Sequence, residues 1–246
     1  MTDQLAADHH ASHRDPNRPL ALLFDLDGTL ADSVALIVGA YRHAFAAHLS
    51  GMPDDEQWIS GMGTPLVGQI RKLVGNDALV DPFLATYREF QQLNHDRLMR
   101  EFEGVGETLE LLHGRGHPTA VVTSKANEGA YRAIRLLQLA PYLDELVGLD
   151  SCERHKPDPE PVLLALDLLG YSPSEAIFLG DSPHDIRAGN AAGVTTVAAL
   201  WGPFTRPALE CASPDYLIEH IRDLPSLIAD LEQAASGPER RNRSWE

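Results

Sequence analysis

Five short apolar runs constrain this chain more than any other feature: LALLF at 20–24, TAVV at 119–122, ELVGL at 145–149, AIFL at 176–179 and TTVAAL at 195–200. None alternates apolar with polar residues, so each needs cover on both faces, as strands in a buried parallel sheet do. Helical patterns fill most of the gaps: GETLELLHGRG at 106–116, NEGAYRAIRLLQL at 127–139, PEPVLLALDLLG at 159–170 and PHDIRAGNAAG at 183–193. Three of the four close on glycine, a preferred residue just past a helix end. Strand and helix in alternation predict an α/β fold, a doubly wound parallel sheet with right-handed crossovers.

One interval breaks the alternation. Residues 33–99 hold no convincing strand, only the helical stretches SVALIVGAYRHAFAAHL, TPLVGQIRKLV and DALVDPFLATYREFQQLNHDRLM. They predict an all-α insert after the first strand, with SGMGTP joining two of its helices and EFEGVG returning the chain to the sheet. The expected division is a core of 19–32 and 100–235, a helical insert of 33–99, and tails at 1–18 and 236–246 that lack apolar periodicity. The histidines of DHHASH in the first tail carry only a weak metal-binding signal. A formal net charge of −16 repels nucleic acid and anionic membrane surfaces. No segment approaches the roughly 20 apolar residues of a membrane span, and the N-terminus lacks the order of a signal peptide. The two cysteines, Cys152 and Cys211, share no metal-ligand spacing and read as reduced thiols. A cytoplasmic protein is expected, as monomer or homodimer.

Ligands of an open parallel sheet bind beyond the carboxyl ends of its strands, which gives the residues standing there special weight. Asp25 and Asp27 follow the first run, Thr123 and Ser124 follow TAVV, Lys156 follows GLDSCERH, and Gly180, Asp181, Ser182 and Asp185 follow AIFL. Each has a structural alternative. Asp25 and Asp27 could form an Asx turn with Gly28, Thr123 and Ser124 could cap a helix, and Asp158 with Pro159, or Ser182 with Pro183, makes an ordinary helix start. A calcium loop is excluded, because aligning Gly28 with its glycine puts Leu23 and Val34 at ligand positions. Four capping accidents converging on one sheet edge are less economical than one site. Like charges about 4 Å apart repel by roughly 4 kcal/mol at an effective dielectric of ~20, so Asp25, Asp27 and Asp181 need a cation between them. Oxygen ligands alone favour magnesium over zinc or a caged calcium. With Lys156 and the Thr123 hydroxyl added, the set suits phosphoryl transfer.

The segments FDLDGTLADS, VVTSK, HKPDPEP and LGDSPHDIRAGNAAG resemble, in order, the four motifs of the haloacid dehalogenase-like hydrolase superfamily. An insert between the first and second motifs is similar to its phosphoglycolate phosphatase-like and pyrophosphatase-like members, and the resemblance runs from about Pro19 to Pro203. It implies a Rossmann-like core with a helical cap at 33–99. It also implies a Mg2+-dependent phosphatase of a small phosphorylated metabolite, a phosphoglycolate-like monoester or pyrophosphate. Asp25 would be the nucleophile and Asp27 the acid and base; Thr123, with Ser124 beside it, would bind phosphate and Lys156 would offset charge. Magnesium would be held by Asp25, the backbone carbonyl of Asp27, and Asp181, with Asp185 direct or through water. An aspartate at position 27 disfavours dehalogenase chemistry. A β-phosphoglucomutase-like phosphotransferase and a non-catalytic binding protein are the rival readings. The cap would set the substrate, with Gly63, Thr64, Arg42 and Arg71 as candidate contacts; Gly61, Met62 and Lys72 are secondary ones. His155 and His184 adjoin the motifs, and Trp201 is expected to pack the sheet edge.

Overall fold

The computed structural model describes residues 18–51 and 54–236. Of the tails expected at 1–18 and 236–246, residues 1–17 and 237–246 lie outside the described residues. In chain order the elements are β1 (Ala21–Phe24), β2 (Ala31–Asp32), α1 (Val34–His48), α2 (Asp55–Ile59), α3 (Leu66–Val74), α4 (Asp77–Leu98) and β3 (Arg100–Glu101). They continue with α5 (Val105–Gly114), β4 (Thr119–Val122), α6 (Asn127–Leu136), β5 (Glu145–Val147), α7 (Glu160–Leu169) and β6 (Ala176–Gly180). The last are α8 (Pro183–Ala192), β7 (Thr195–Ala199), α9 (Arg206–Glu210), β8 (Tyr216–Ile218) and α10 (Leu224–Ser236).

Six strands form one parallel sheet in the order β5-β4-β1-β6-β7-β8, with β1 inside it: Leu23 stands opposite Ala120 of β4 and Phe178 of β6. The pleat explains the unbroken apolar runs. Leu22 and Phe24 of β1, Val121 of β4 and Ile177 and Leu179 of β6 face one layer with Leu109 of α5 and Ile134 of α6. Their neighbours Ala21, Leu23, Ala120, Val122 and Phe178 face a second layer with Val162 and Leu166 of α7 and Ala188 of α8. Successive side chains point to opposite faces, so a strand buried on both sides shows no polar alternation. This is the α/β architecture expected from the sequence. Three strands were not foreseen. β8 is half exposed, with Tyr216 39% accessible and only Ile218 inside, and its three residues are too few to stand out as a run. β2 and β3 form a two-residue antiparallel ladder, Ala31 opposite Glu101 and Asp32 opposite Arg100, too short to leave a period.

That ladder is the stem on which α1 to α4 stand. These helices close a core of their own, in which Tyr41, Phe45, Trp58, Ile70, Val80, Phe83 and Tyr87 are buried. Tyr41 stacks on Trp58 at 4.2 Å between ring centroids. Arg18, grouped by sequence with the tail, is instead tied to the sheet domain: its guanidinium lies 3.5 Å from the Tyr171 ring centroid and donates to the Gly170 carbonyl at 2.8 Å.

Candidate active site

The chain leaves β1 by a turn that only a particular residue type can make. Gly28 adopts φ +96°, and a Cβ there would meet Asp181 Oδ2 at 2.5 Å. A positive φ is costly for any residue with a side chain, and here the space is filled as well. Glycine therefore lets the turn after Asp25 and Asp27 pack directly on the carboxylate that follows β6. Thr29 completes the join by donating its hydroxyl proton to Asp181 Oδ1 at 2.8 Å. Sequence reasoning passed over Thr29, although it sits in the same motif.

Asp25 is 3% exposed, and its backbone N–H is bound to the Leu179 carbonyl at 2.9 Å, which fixes it between β4 and β6. Lys156, equally buried, spends its three N–H groups on Asp25 Oδ1 at 2.8 Å, Asp185 Oδ1 at 2.5 Å and the Val122 carbonyl at 3.0 Å. Asp185 also closes α8, as the sequence pattern of a helix start suggested. Its Oδ2 accepts from the Ser182 N–H and hydroxyl, while Ser182 Oγ accepts from the Asp185 N–H. One oxygen of Asp185 thus serves the helix start and the other meets Lys156.

Carboxylate oxygens of Asp25, Asp181 and Asp185 lie within 4.8 Å of one another, and all three side chains are buried. Burial pushes the Asp25 carboxyl up to about 7, Lys156 pulling it down and Asp185 adding to the rise. Asp181 is pushed well above the usual carboxylate range by burial and then by Asp25 and Asp185. Burial opposes the Lys156 ammonium, but Asp185 and Asp25 outweigh it and hold its pKa above the ordinary lysine value. Three carboxylates against one ammonium leave an excess of negative charge, and the donors are all oxygens. The set fits a hard divalent cation, whose charge would reverse the upward shifts.

The carboxylate of Asp27 stands apart from those clustered oxygens. Lys125 Nζ binds both of its oxygens, at 2.8 and 2.6 Å, so the Asp27 side chain is committed to Lys125 rather than to the three-carboxylate cluster. Lys125, the last residue of the VVTSK segment, had been given no role from sequence; its place directly after Thr123 and Ser124 was the available signal. Thr123 is 5% exposed and its Oγ1 accepts from the Lys125 N–H, which keeps the hydroxyl proton for a ligand. The Ser124 hydroxyl is engaged differently from the expected phosphate contact. It donates to the Gly63 carbonyl at 2.6 Å and so joins the sheet domain to the helical insert.

A cavity of about 360 Å³ opens over this centre, lined by Asp25, Asp27, Thr123, Ser124, Lys125 and His155 from below and by Trp58, Met62, Gly63, Thr64, Tyr87 and Arg88 from the insert. Gly63 and Thr64 therefore reach the site. Arg42 and Arg71 do not: Arg42 pairs with Asp55 and Arg71 with Asp77 at 3.1 Å, both on exposed helix surfaces away from the cavity lining. The insert's cation at the cavity is Arg88, one residue after the buried Tyr87 on α4. His184 is outside the lining, its pKa lowered by burial first, and its Nδ1 has no partner among the described residues. Trp201 packs on the sheet domain and donates its Nε1–H to the Thr29 carbonyl at 2.9 Å.

The family model for haloacid dehalogenase-like hydrolases matches residues 22–199, which contain all of these groups except Trp201. The chain belongs to that family. The pyrophosphatase PpaX of Bacillus velezensis is 38% identical to this hydrolase over 207 residues, covering 84% of this chain and 95% of that protein. A hydrolase from Pseudomonas syringae shares the fold with a TM-score of 0.78 at 24% identity, over 86% of this chain and 99% of that one. A protein described as a predicted phosphoglycolate phosphatase from Haemophilus somnus does so with a TM-score of 0.77 at 23% identity, over 85% and 97%. Among the described residues no helix is long and apolar enough to cross a membrane.

Proposed function

We propose that this hydrolase is a Mg2+-dependent phosphatase that acts on a small phosphorylated molecule, pyrophosphate or a phosphoglycolate-like monoester, in the cytoplasm. One observation carries the reading: the buried Asp25 carboxylate at the end of β1 touches Lys156 Nζ at 2.8 Å and shares a cluster with Asp181 and Asp185 under a cavity lined by Thr123. Similarity to the pyrophosphatase PpaX supports it. Mg2+, held by the carboxylates of Asp25 and Asp181 and the Asp27 carbonyl, with Asp185 direct or through water, would supply charge neutralisation for an anionic nucleophile meeting an anionic substrate.

In the first half-reaction Asp25 attacks phosphorus, forming an O–P bond as the bond to the leaving oxygen breaks. Thr123 donates to a phosphoryl oxygen, and Lys156 keeps the attacking carboxylate ionised. Asp27 delivers a proton to the leaving oxygen. In the second half-reaction Asp27 takes a proton from water, the water oxygen bonds phosphorus, and Asp25 is released with inorganic phosphate. Residues 33–99 act as a cap whose closure excludes bulk water and surrounds the leaving group, while 19–32 and 100–235 form the catalytic core.

The test is phosphate release from a panel that includes pyrophosphate, 2-phosphoglycolate and sugar phosphates, with Mg2+ and with chelator, in the wild type and Asp25→Asn. Turnover with Mg2+ alone, lost in the folded variant, is expected. Retained turnover in Asp25→Asn contradicts the covalent route, and a sugar phosphate isomerised rather than hydrolysed makes the protein a mutase.

A further inference from the structure

We infer that Lys125, with Arg88 at the cavity rim, is the specificity-determining residue of this site: it reads a second anionic group on the leaving group, a few bonds beyond the oxygen that departs. The inference rests on the phosphatase reading above and narrows its substrate class to phosphoanhydrides and phosphate esters whose leaving group is itself anionic.

The argument starts with donors. A lysine ammonium carries three N–H groups. Two of those on Lys125 are taken by Asp27, at 2.8 and 2.6 Å, and the side chain lines the cavity, so the third remains for a ligand. The placement is built. The Lys125 carbonyl accepts from Leu149 N–H at 2.9 Å and its N–H donates to Thr123 Oγ1 at 3.2 Å. Its stem also runs past Gly129 of α6, where even a methyl group would stand 3.4 Å from Lys125 Cγ.

Position then decides what the third donor meets. Asp27 must touch the leaving oxygen to protonate it, and Lys125 Nζ is hydrogen-bonded to that same carboxylate. An acceptor that meets the free N–H from beyond the departing oxygen belongs to the leaving group, because the transferring phosphoryl group is bound on the Asp25 side by Thr123 and Lys156 in the proposed reaction. Arg88 extends the same field from the cap. It lines the cavity, and no carboxylate pairs with it among the described residues, in a chain of formal net charge −16. An unneutralised guanidinium is a strong fork for carboxylate or phosphate. The remaining lining, with Trp58, Met62 and Tyr87, offers no comparable charge to a second anion.

The experiment compares kcat and KM for pyrophosphate, 2-phosphoglycolate and phenyl phosphate, whose leaving group has no second anion, in wild type, Lys125→Met, Lys125→Arg and Arg88→Met. Lys125→Met is expected to lower kcat/KM for the two doubly anionic substrates by about 100-fold, the scale of one lost charged hydrogen bond or two, mainly through KM. The loss on phenyl phosphate is expected to be at least about tenfold smaller, and Lys125→Arg to recover most of it. Arg88→Met is expected to act in the same direction and more weakly. An equal loss on all three substrates, or a preference of the wild type for phenyl phosphate, overturns the proposal. Binding of the same three compounds to Asp25→Asn protein, with and without Lys125→Met, reads selectivity with no turnover. There, binding of 2-phosphoglycolate unaffected by Lys125→Met refutes the role of Lys125, whereas absence of phosphate release from every substrate in the wild type refutes the phosphatase reading instead.

Discussion

Replacing Lys156 by methionine keeps the length of the buried stem and removes the charge. In the wild type this ammonium satisfies Asp25 at 2.8 Å and Asp185 at 2.5 Å and is 2% exposed. Without it, three carboxylates whose oxygens lie within 4.8 Å of one another have no cation. At that separation an effective dielectric of ~20 gives about 3.5 kcal/mol of repulsion for each pair that stays ionised, an upper limit because the buried carboxyls can take up protons instead. Breaking a buried pair by deleting one partner costs about 3–5 kcal/mol, of the same size. Lys156→Met in chelator is therefore expected to lose about 3–5 kcal/mol, or roughly 10 °C of melting temperature for a chain of this size. Because the missing charge can be supplied from solution, Mg2+ should return more stability to the variant than it adds to the wild type. Urea titrations of both proteins, with chelator and with Mg2+, measure the four quantities. A loss under about 1 kcal/mol in chelator, or an equal Mg2+ increment in both proteins, would refute the argument that charge balance holds this centre together.

Asp27→Asn keeps the shape but cannot donate or accept the proton, and kcat should fall about 100-fold or more in a phosphate-release assay; an unchanged rate would leave Asp27 with a structural role only. Gly28→Ala forces a methyl group to within 2.5 Å of Asp181 Oδ2 at φ +96°. It should cost about 1–3 kcal/mol in denaturation and weaken Mg2+ binding in titration, and a neutral result would show that the turn relaxes freely. The pH dependence has a definite sign. Asp25 is raised from 3.8 to about 7 without metal, so the folded state holds a proton that the unfolded chain has lost, and metal-free stability should decline as pH rises from about 4 to about 7. Denaturation across that range in chelator should show the slope, and Mg2+ should flatten it.

The strands were legible because both faces of the sheet are covered: Leu22 and Leu23 enter opposite apolar layers, and no polar residue interrupts the run. The strand-end residues were legible for a topological reason, since parallel strands bring their carboxyl ends to one edge and Asp25, Thr123 and Asp181 had to meet there. What escaped depends on how separate helices dock. Arg42, Arg71 and Arg88 are all helix cations in the same insert, and nothing local distinguishes them; only the packing around Tyr41 and Trp58 turns Arg88 toward the cavity and Arg42 toward Asp55. Likewise Ser124 looked like a phosphate ligand by position, yet its proton goes to Gly63, 61 residues earlier. β8 was missed because a half-exposed edge strand of three residues has too few buried positions to register.

The Trp201 indole bonded to the Thr29 carbonyl links residues 172 positions apart, and Thr29 in turn holds Asp181. During synthesis β1 is made well before the tryptophan that braces the turn after it, because 172 positions separate Thr29 from Trp201. At about 5–20 residues per second, the nascent chain must wait on the order of ten seconds or more with that turn unbraced. Such distant closure predicts slow maturation of activity, with hydrolysis arising only after Trp201 has emerged.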